Sequence, residues 1–254
     1  METLRVKNIS KIYGGKKKSK EYVALRDVSF EISKGEFLGV MGPSGSGKTT
    51  LLNILGSIDR PTGGKLYIGD KDITKLNKKE LAYHRMNNIG FIFQDYNLLN
   101  TMTLKENILL PLALRDSSVE YMESKLGELC KKIGIENILN KYPYEVSGGE
   151  QQRAAACRAL ITNPKIILAD EPTGNLDSKS SKNLLDLISF INKEYETTIL
   201  MVTHDIYAAS YCDKIMFIRD GEIYNELYSN GNKSELFNSI IDVMAIIGGN
   251  RYEI

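Results

Sequence analysis

The chain has 254 residues, 42% hydrophobic and 26% charged, enough for one large or two small soluble domains with a proper buried core. A formal net charge of +1 offers no global field to nucleic acid or an acidic membrane, and no apolar run approaches the roughly 18 residues that cross a bilayer. Cys130, Cys157 and Cys212 lie far apart, without CxxC spacing or a framework count, and are expected as reduced thiols; "METLRVKNIS" lacks the apolar core of a secretory signal.

In chain order, "LRVKNI" and "YVALRDVSFEI" alternate as strands, and the basic run "GGKKKSK" between them, Gly14 to Lys20, reads as a solvated loop. The apolar strand "FLGVM" runs into "GPSGSGKTT" and then into the helical "TLLNILGSI". "KLYIGD" with "KDIT" reads as strand and turn, and "IGFIFQ" as a buried strand ending at Gln94. From there to Cys157 the spacing turns helical, as in "LKENILLPLAL" and "SVEYMESKLGELCKKIGI". Strand and helix then alternate: "KIILAD", "SKSSKNLLDLISFINKEY", "TTILMVTHD", "IYAASYC", and a hairpin in "KIMFIRDGEIYNEL" turning at Asp220-Gly221. The closing "SELFNSIIDVMAIIGGN" has helical spacing that suits packing on its own domain. Such alternation predicts a largely parallel sheet with its ligand at the carboxyl ends of the strands.

"GPSGSGKT", Gly42 to Thr49, has the spacing of a phosphate loop between strand and helix. Its glycines let backbone amides wrap phosphates, Lys48 would reach the β- and γ-phosphates, and the Thr49 hydroxyl would ligate Mg²⁺. "KIILADEP" ends a strand in two acids: Asp170 suits Mg²⁺, and Glu171 would take a proton from the attacking water. His204 ends another strand and is aimed at the same edge, whereas His84, in "ELAYHRMNN", reads as structural. Gln94 has an amide oxygen for Mg²⁺ and can orient a water. A second anion-ready turn, "EVSGGEQQR", carries Ser147, Gly148 and Gly149 at the start of a helix, but no lysine.

In this order, "GPSGSGKTT", Gln94, "VSGGEQQR", "ILADEPTGNLD" and "VTHD" resemble the Walker A, Q-loop, signature, Walker B with D-loop, and switch-histidine motifs of ABC ATPases over nearly the whole chain. The resemblance implies an α/β P-loop NTPase: one ABC ATP-binding domain with a RecA-like core and antiparallel β lobe in 1–94 and 158–254, and a helical subdomain in 95–157. It also implies a head-to-tail homodimer in which Ser147, Gly148 and Gly149 of one subunit close over ATP held by Gly42, Ser44, Gly45, Ser46, Gly47, Lys48, Thr49 and Thr50 of the other. Tyr13 matches the aromatic that stacks on adenine, and Asp177 the D-loop aspartate that links the two sites. Glu171 and His204, with Gln94, are the implied catalytic residues, and Thr49, Gln94 and Asp170 the implied Mg²⁺ ligands. Glu150 stands where many signatures have glutamine and Val146 where leucine is usual, departures that bear on hydrolysis rate more than on function.

"FIFQDYNLLNTMTLKENILLPL", "KYPYEVSGGEQQR" and "LADEPTGNLDSKS" are similar to the branch of lipoprotein-release, macrolide-export and cell-division ATPases. Within it, "THDIYAASYC" and the tail resemble the bacitracin-type peptide-resistance ATPases. The implied partner is an FtsX/MacB-like integral membrane permease, with a sensor histidine kinase reached through it, and the implied location is the cytoplasmic face of the membrane, peripherally bound. Force transmission without transport, as in cell division, shares these motifs. Action on nucleic acid or the ribosome is disfavoured, because the helical block is compact and each motif occurs once.

Overall fold

The computed structural model describes residues 2–14 and 21–249; most of the basic run, Gly15 to Lys20, lies outside the described residues. Strands β1 (Glu2–Tyr13), β2 (Tyr22–Ser33) and β3 (Phe37–Met41) lead through the glycine-rich loop into helix α1 (Lys48–Leu55). Strands β4 (Gly63–Ile68) and β5 (Lys71–Asp72) precede α2 (Lys78–Asn88) and β6 (Ile89–Phe93), and the middle of the chain holds α3 (Leu104–Ala113), α4 (Val119–Ile133) and α5 (Gly148–Leu160). The rest alternates through β7 (Ile166–Asp170), α6 (Ser178–Glu194), β8 (Thr198–Val202), α7 (Ile206–Ala209), β9 (Lys214–Arg219), β10 (Glu222–Tyr228) and α8 (Lys233–Gly249).

Local chemistry explains where the helices start and stop. Thr103 with Glu106 and Ser147 with Glu150 form capping boxes ahead of α3 and α5, and Gly134, at φ 71°, closes α4 in the left-handed region. Helix α2 has no counterpart among the sequence expectations, because it buries only Leu81 and His84 and so shows little apolar periodicity. Its legible signal was the Asn77/Glu80 capping box. The helix expected to open at "EVSGGEQQR" forms as α5 and stops at Leu160.

Six strands form one sheet in the order β10-β9-β3-β8-β7-β6, parallel from β9 to β6. Strand β10 returns antiparallel through Asp220 and Gly221, whose φ values of 52° and 83° suit a tight hairpin. A second, antiparallel sheet has the order β2-β1-β4-β5. The central strands are buried on both faces, and alternate residues feed two cores. Leu38, Val40, Leu168, Leu200 and Val202 face the core shared with α1 and the antiparallel sheet. Phe37, Met41, Ile167, Ile199 and Met201 face the core shared with α3 to α6 and α8. Helix α8 buries Leu236, Ile240, Val243 and Ile247 at helical spacing against its own chain. No helix among the described residues is long and apolar enough to cross a membrane.

Candidate functional site

Strand register gathers the candidate residues on one edge. Val40 pairs with Val202, Val202 is level with Asp170, and Asp170 is level with Phe93. The residues one or two further along each strand, the Gly42 loop, His204, Glu171 and Gln94, therefore leave the sheet at its carboxyl edge, where open α/β sheets bind ligands.

In the loop, Gly42 and Gly47 have φ values of 152° and 107°. A Cβ on Gly42 would strike the Ile218 carbonyl oxygen, and one on Gly47 would lie 2.5 Å from that of Ala24, so both positions require glycine. Gly47 precedes α1 with no side-chain cap, which leaves the first amides of the helix and its positive end for an anion. The buried Lys48 Nζ donates to the carbonyl oxygens of Gly42 and Pro43, each at 2.9 Å. Burial holds its pKa below the usual lysine value, against the opposing pull of Glu171 and Asp170. Ser46 Oγ is buried without a partner among the described residues, Ser44, Gly45 and Thr49 are exposed, and Thr50 is half-buried.

Asp170 ends β7 with its pKa raised, first by burial and then by Glu171, while Lys48 opposes the shift. Two adjacent carboxylates against one lysine call for a further cation. Asp170, the Thr49 hydroxyl and the Gln94 amide are hard oxygen donors of the kind that could hold Mg²⁺. Glu171 sits in the left-handed region at φ 44°, and its amide donates to Val202 O at 2.9 Å, so the carboxylate is aimed by strained backbone. Its Oε2 lies 2.8 Å from Nδ1 of the exposed His204. The pair lines a cavity of about 570 Å³ that also includes Thr173, Leu176 and Ser178.

Gln94 Nε2 donates to Asn175 Oδ1 at 3.2 Å, and Asn175 Nδ2 donates to Asp95 Oδ1 at 2.8 Å. Gln94 thus leans on the turn at Gly174, where an added Cβ would lie 2.9 Å from its Cδ. Asp177 caps α6, accepting from the amides of Lys179 and Ser180 and from the Ser180 hydroxyl. Tyr13 is half-exposed, and its hydroxyl donates to Asp59 Oδ2 at 2.8 Å.

Ser147 caps α5: its hydroxyl donates to Glu150 Oε2 at 2.7 Å, and the Ser147 amide reaches the same oxygen at 2.8 Å. These bonds hold the Glu150 carboxyl below its ordinary pKa; glutamine could fill the same place in the capping box, so what the departure adds is a negative charge. An added Cβ on Gly148 would meet Tyr96 and Leu176, and one on Gly149 would meet Ser180. The second anion-ready turn therefore packs on neighbours other than Lys48.

Sequence reading missed Gln152. It is fully buried in α5, and its Nε2 donates to Pro172 O at 2.8 Å and to Phe93 O at 3.3 Å. It ties the α5 turn to the backbone beside both Glu171 and Gln94. Its one local signal was a polar residue on the alanine-rich face of "EQQRAAACRAL".

The family model for the ABC transporter matches residues 25–174. The ABC transporter ATP-binding protein YxdL of Bacillus subtilis is 50% identical over 247 residues, 97% of this chain and 95% of that one. The bacitracin export ATP-binding protein BceA of Halalkalibacterium halodurans is 46% identical over 250 residues, 98% of each chain. A solved dimer of the ATP-binding cassette MJ0796 of Methanocaldococcus jannaschii, in a post-hydrolysis state bound to ADP and Pi, is similar with a TM-score of 0.81 at 40% identity. That match covers 90% of this chain and 100% of the other.

Proposed function

The chain belongs to the ABC transporter family as an ATP-binding, ATP-hydrolysing subunit, and on that premise we propose that two copies close head to tail over two ATP molecules to drive an FtsX/MacB-like permease in antimicrobial-peptide resistance. The observation that carries the dimer is the separation of two anion-ready helix starts. Lys48 and the uncapped α1 form one, Ser147 to Gly149 at α5 form the other, and the second packs on Tyr96, Leu176 and Ser180. A second copy supplies the α5 turn that each loop lacks.

ATP exchanges the Lys48 bonds to Gly42 and Pro43 carbonyls for charge-assisted bonds to β- and γ-phosphate oxygens. Thr49, Asp170 and Gln94 would hold Mg²⁺, which neutralises phosphate charge when bound. Glu171 accepts the proton of a water whose oxygen attacks the γ-phosphorus. The bond to the β-phosphate oxygen breaks and ADP leaves with the electron pair. His204, beside the Glu171 carboxylate, holds the γ-phosphate. Asp177 links the two sites across the dimer, and Tyr13 stacks on adenine. Closure swings the helical block 95–157 through the Gln94 turn.

The permease seat is an apolar groove of about 570 Å³ beside β6, lined by Ile58, Met86, Phe91, Phe93, Pro111 and Leu114. Ile58 and Leu114 are 54% and 63% exposed, so the groove leaves large apolar side chains in water unless a partner covers them. The peptide-resistance reading rests on the similarity to the bacitracin export relative, and places the chain at the cytoplasmic face of the membrane with a sensor histidine kinase reached through the permease.

Glu171→Gln is expected to keep ATP binding, accumulate as an ATP-dependent dimer on gel filtration, and hydrolyse about 10²- to 10⁴-fold more slowly. Normal turnover would remove Glu171 from its role. Purification of the tagged chain from detergent-extracted membranes is expected to yield one large permease, and Leu114→Asp to lose it. Recovery only from the soluble fraction with nucleic acid or ribosomes would overturn the transport reading.

A further inference from the structure

Behind the Tyr13 ring lies a charged assembly that the nucleotide-site motifs do not account for. Lys11 is 9% exposed, unusual for a lysine, and its Nζ sits over the Tyr13 ring, 4.6 Å from the centroid. The same ammonium donates to Asp59 Oδ1 at 2.8 Å and to the Arg60 carbonyl at 2.7 Å. The other Asp59 oxygen, Oδ2, accepts from the Tyr13 hydroxyl at 2.8 Å. One carboxylate thus fixes both the ring, by its hydroxyl, and the cation placed against the ring face.

This trio is tied to the phosphate loop through one helix. The Asp59 amide donates to the carbonyl of Asn53 in α1 at 3.1 Å. Residue Tyr13 remains 38% exposed. Lys11 occupies one face of the ring, so a flat base that stacks on this half-exposed tyrosine would take the opposite face.

The geometry points to Lys11 and Asp59 as positioning residues for the nucleobase: they hold Tyr13 from behind and by its hydroxyl, so that its free face meets the adenine of ATP in a lysine–tyrosine–adenine stack. Two physical effects favour binding. A ring already held in place loses little rotational freedom when the base arrives. A cation on the far face draws π density from the tyrosine and improves its contact with the electron-rich purine. The inference rests on the reading of Tyr13 as the adenine-stacking residue.

The test is calorimetric titration of the full chain with Mg·ATP and with Mg·tripolyphosphate, which fills the phosphate loop but has no base. Lys11→Met and Asp59→Ala are each expected to weaken ATP binding about 3- to 10-fold while leaving tripolyphosphate binding unchanged. Lys11→Arg, which keeps a cation over the ring, is expected to bind ATP as the native chain does. Equal loss of both ligands in Lys11→Met and Asp59→Ala would mean a purely structural role and overturn the inference, as would unchanged ATP binding in both. Tyr13→Leu separates the two readings. If it weakens ATP selectively while the lysine and aspartate variants do not, stacking stands and the positioning role falls. If it leaves ATP binding intact, the stacking reading falls and this inference with it.

Discussion

Two helix starts in this chain face anions by different means. At α1 the loop offers bare backbone amides, no capping side chain and a buried lysine, so the first turn of the helix is open to an anion before any ligand arrives. At α5 the Ser147 and Glu150 amides and the Ser147 hydroxyl are already engaged, because the two residues complete a capping box and Glu150 brings a carboxylate. The first suits an anion that arrives alone, since its helix amides are open and only Lys48 has bonds to exchange. At the second the Ser147 hydroxyl has to leave Glu150 to reach an anion, which suits a partner that closes only once phosphate is in place.

Lys48→Ala should break the contrast most, because it removes the buried lysine at the head of α1. Calorimetry of the monomer is expected to show ATP binding about 100-fold weaker, while Ser147→Ala leaves monomer binding unchanged. Equal losses in the two variants would erase the distinction between the helix starts.

Acid sensitivity of the fold itself has to be separated from that of either site, and His84 is its expected source. Burial, then the charges of Lys71 and Lys165, lower its pKa to about 4, so the unfolded chain binds a proton that the folded chain refuses between about pH 4 and 6.5. Stability is therefore present above pH 6.5 and lost as pH falls. Denaturant titrations are expected to differ by about 2 kcal/mol between pH 7 and pH 5, with a flatter pH slope in His84→Gln. An unchanged slope would assign the acid sensitivity elsewhere.

Loss of the α5 cap in Ser147→Ala should cost about 1 kcal/mol in chemical denaturation and abolish ATP-dependent dimers in the Glu171→Gln background. Stable dimers would show that the hydroxyl is not needed across the interface. The smallest effect belongs to Glu150→Gln, which keeps the capping geometry and removes a charge facing phosphate. Its ATP-dependent dimer is expected to tighten about 2- to 5-fold at low salt, and less at high salt. A weaker dimer would mean that the carboxylate's hydrogen bonds outweigh its charge.

Much of the fold was legible because its signals are local. "FLGVM", "KIILAD" and "TTILMV" are short apolar runs that became β3, β7 and β8, and Asp220-Gly221 marked a hairpin because both residues tolerate positive φ. Helix α2 was not read, because its buried face is two residues wide and only its cap gave it away. In the site, Lys48, Asp170 and Glu171 were legible from loop spacing and strand ends. Gln152 and Asp59 were not, because a buried glutamine on a helix and an aspartate after a turn look like ordinary polar residues until their partners are known.

By itself the sequence determined what rests on a few neighbouring residues: the helix caps, the face each strand residue takes, the positive-φ glycines of the loop, and the motif order that marks the family. Tertiary structure decided what depends on chain segments far apart. It set β3 between β8 and β9, brought His204 against Glu171, placed Gln152 between Phe93 and Pro172, and put Lys11 over Tyr13 with Asp59 bonded to both. The physical reason is that caps and alternation are selected by backbone dihedrals and nearest neighbours, whereas these contacts exist only after two cores have closed on opposite faces of one sheet.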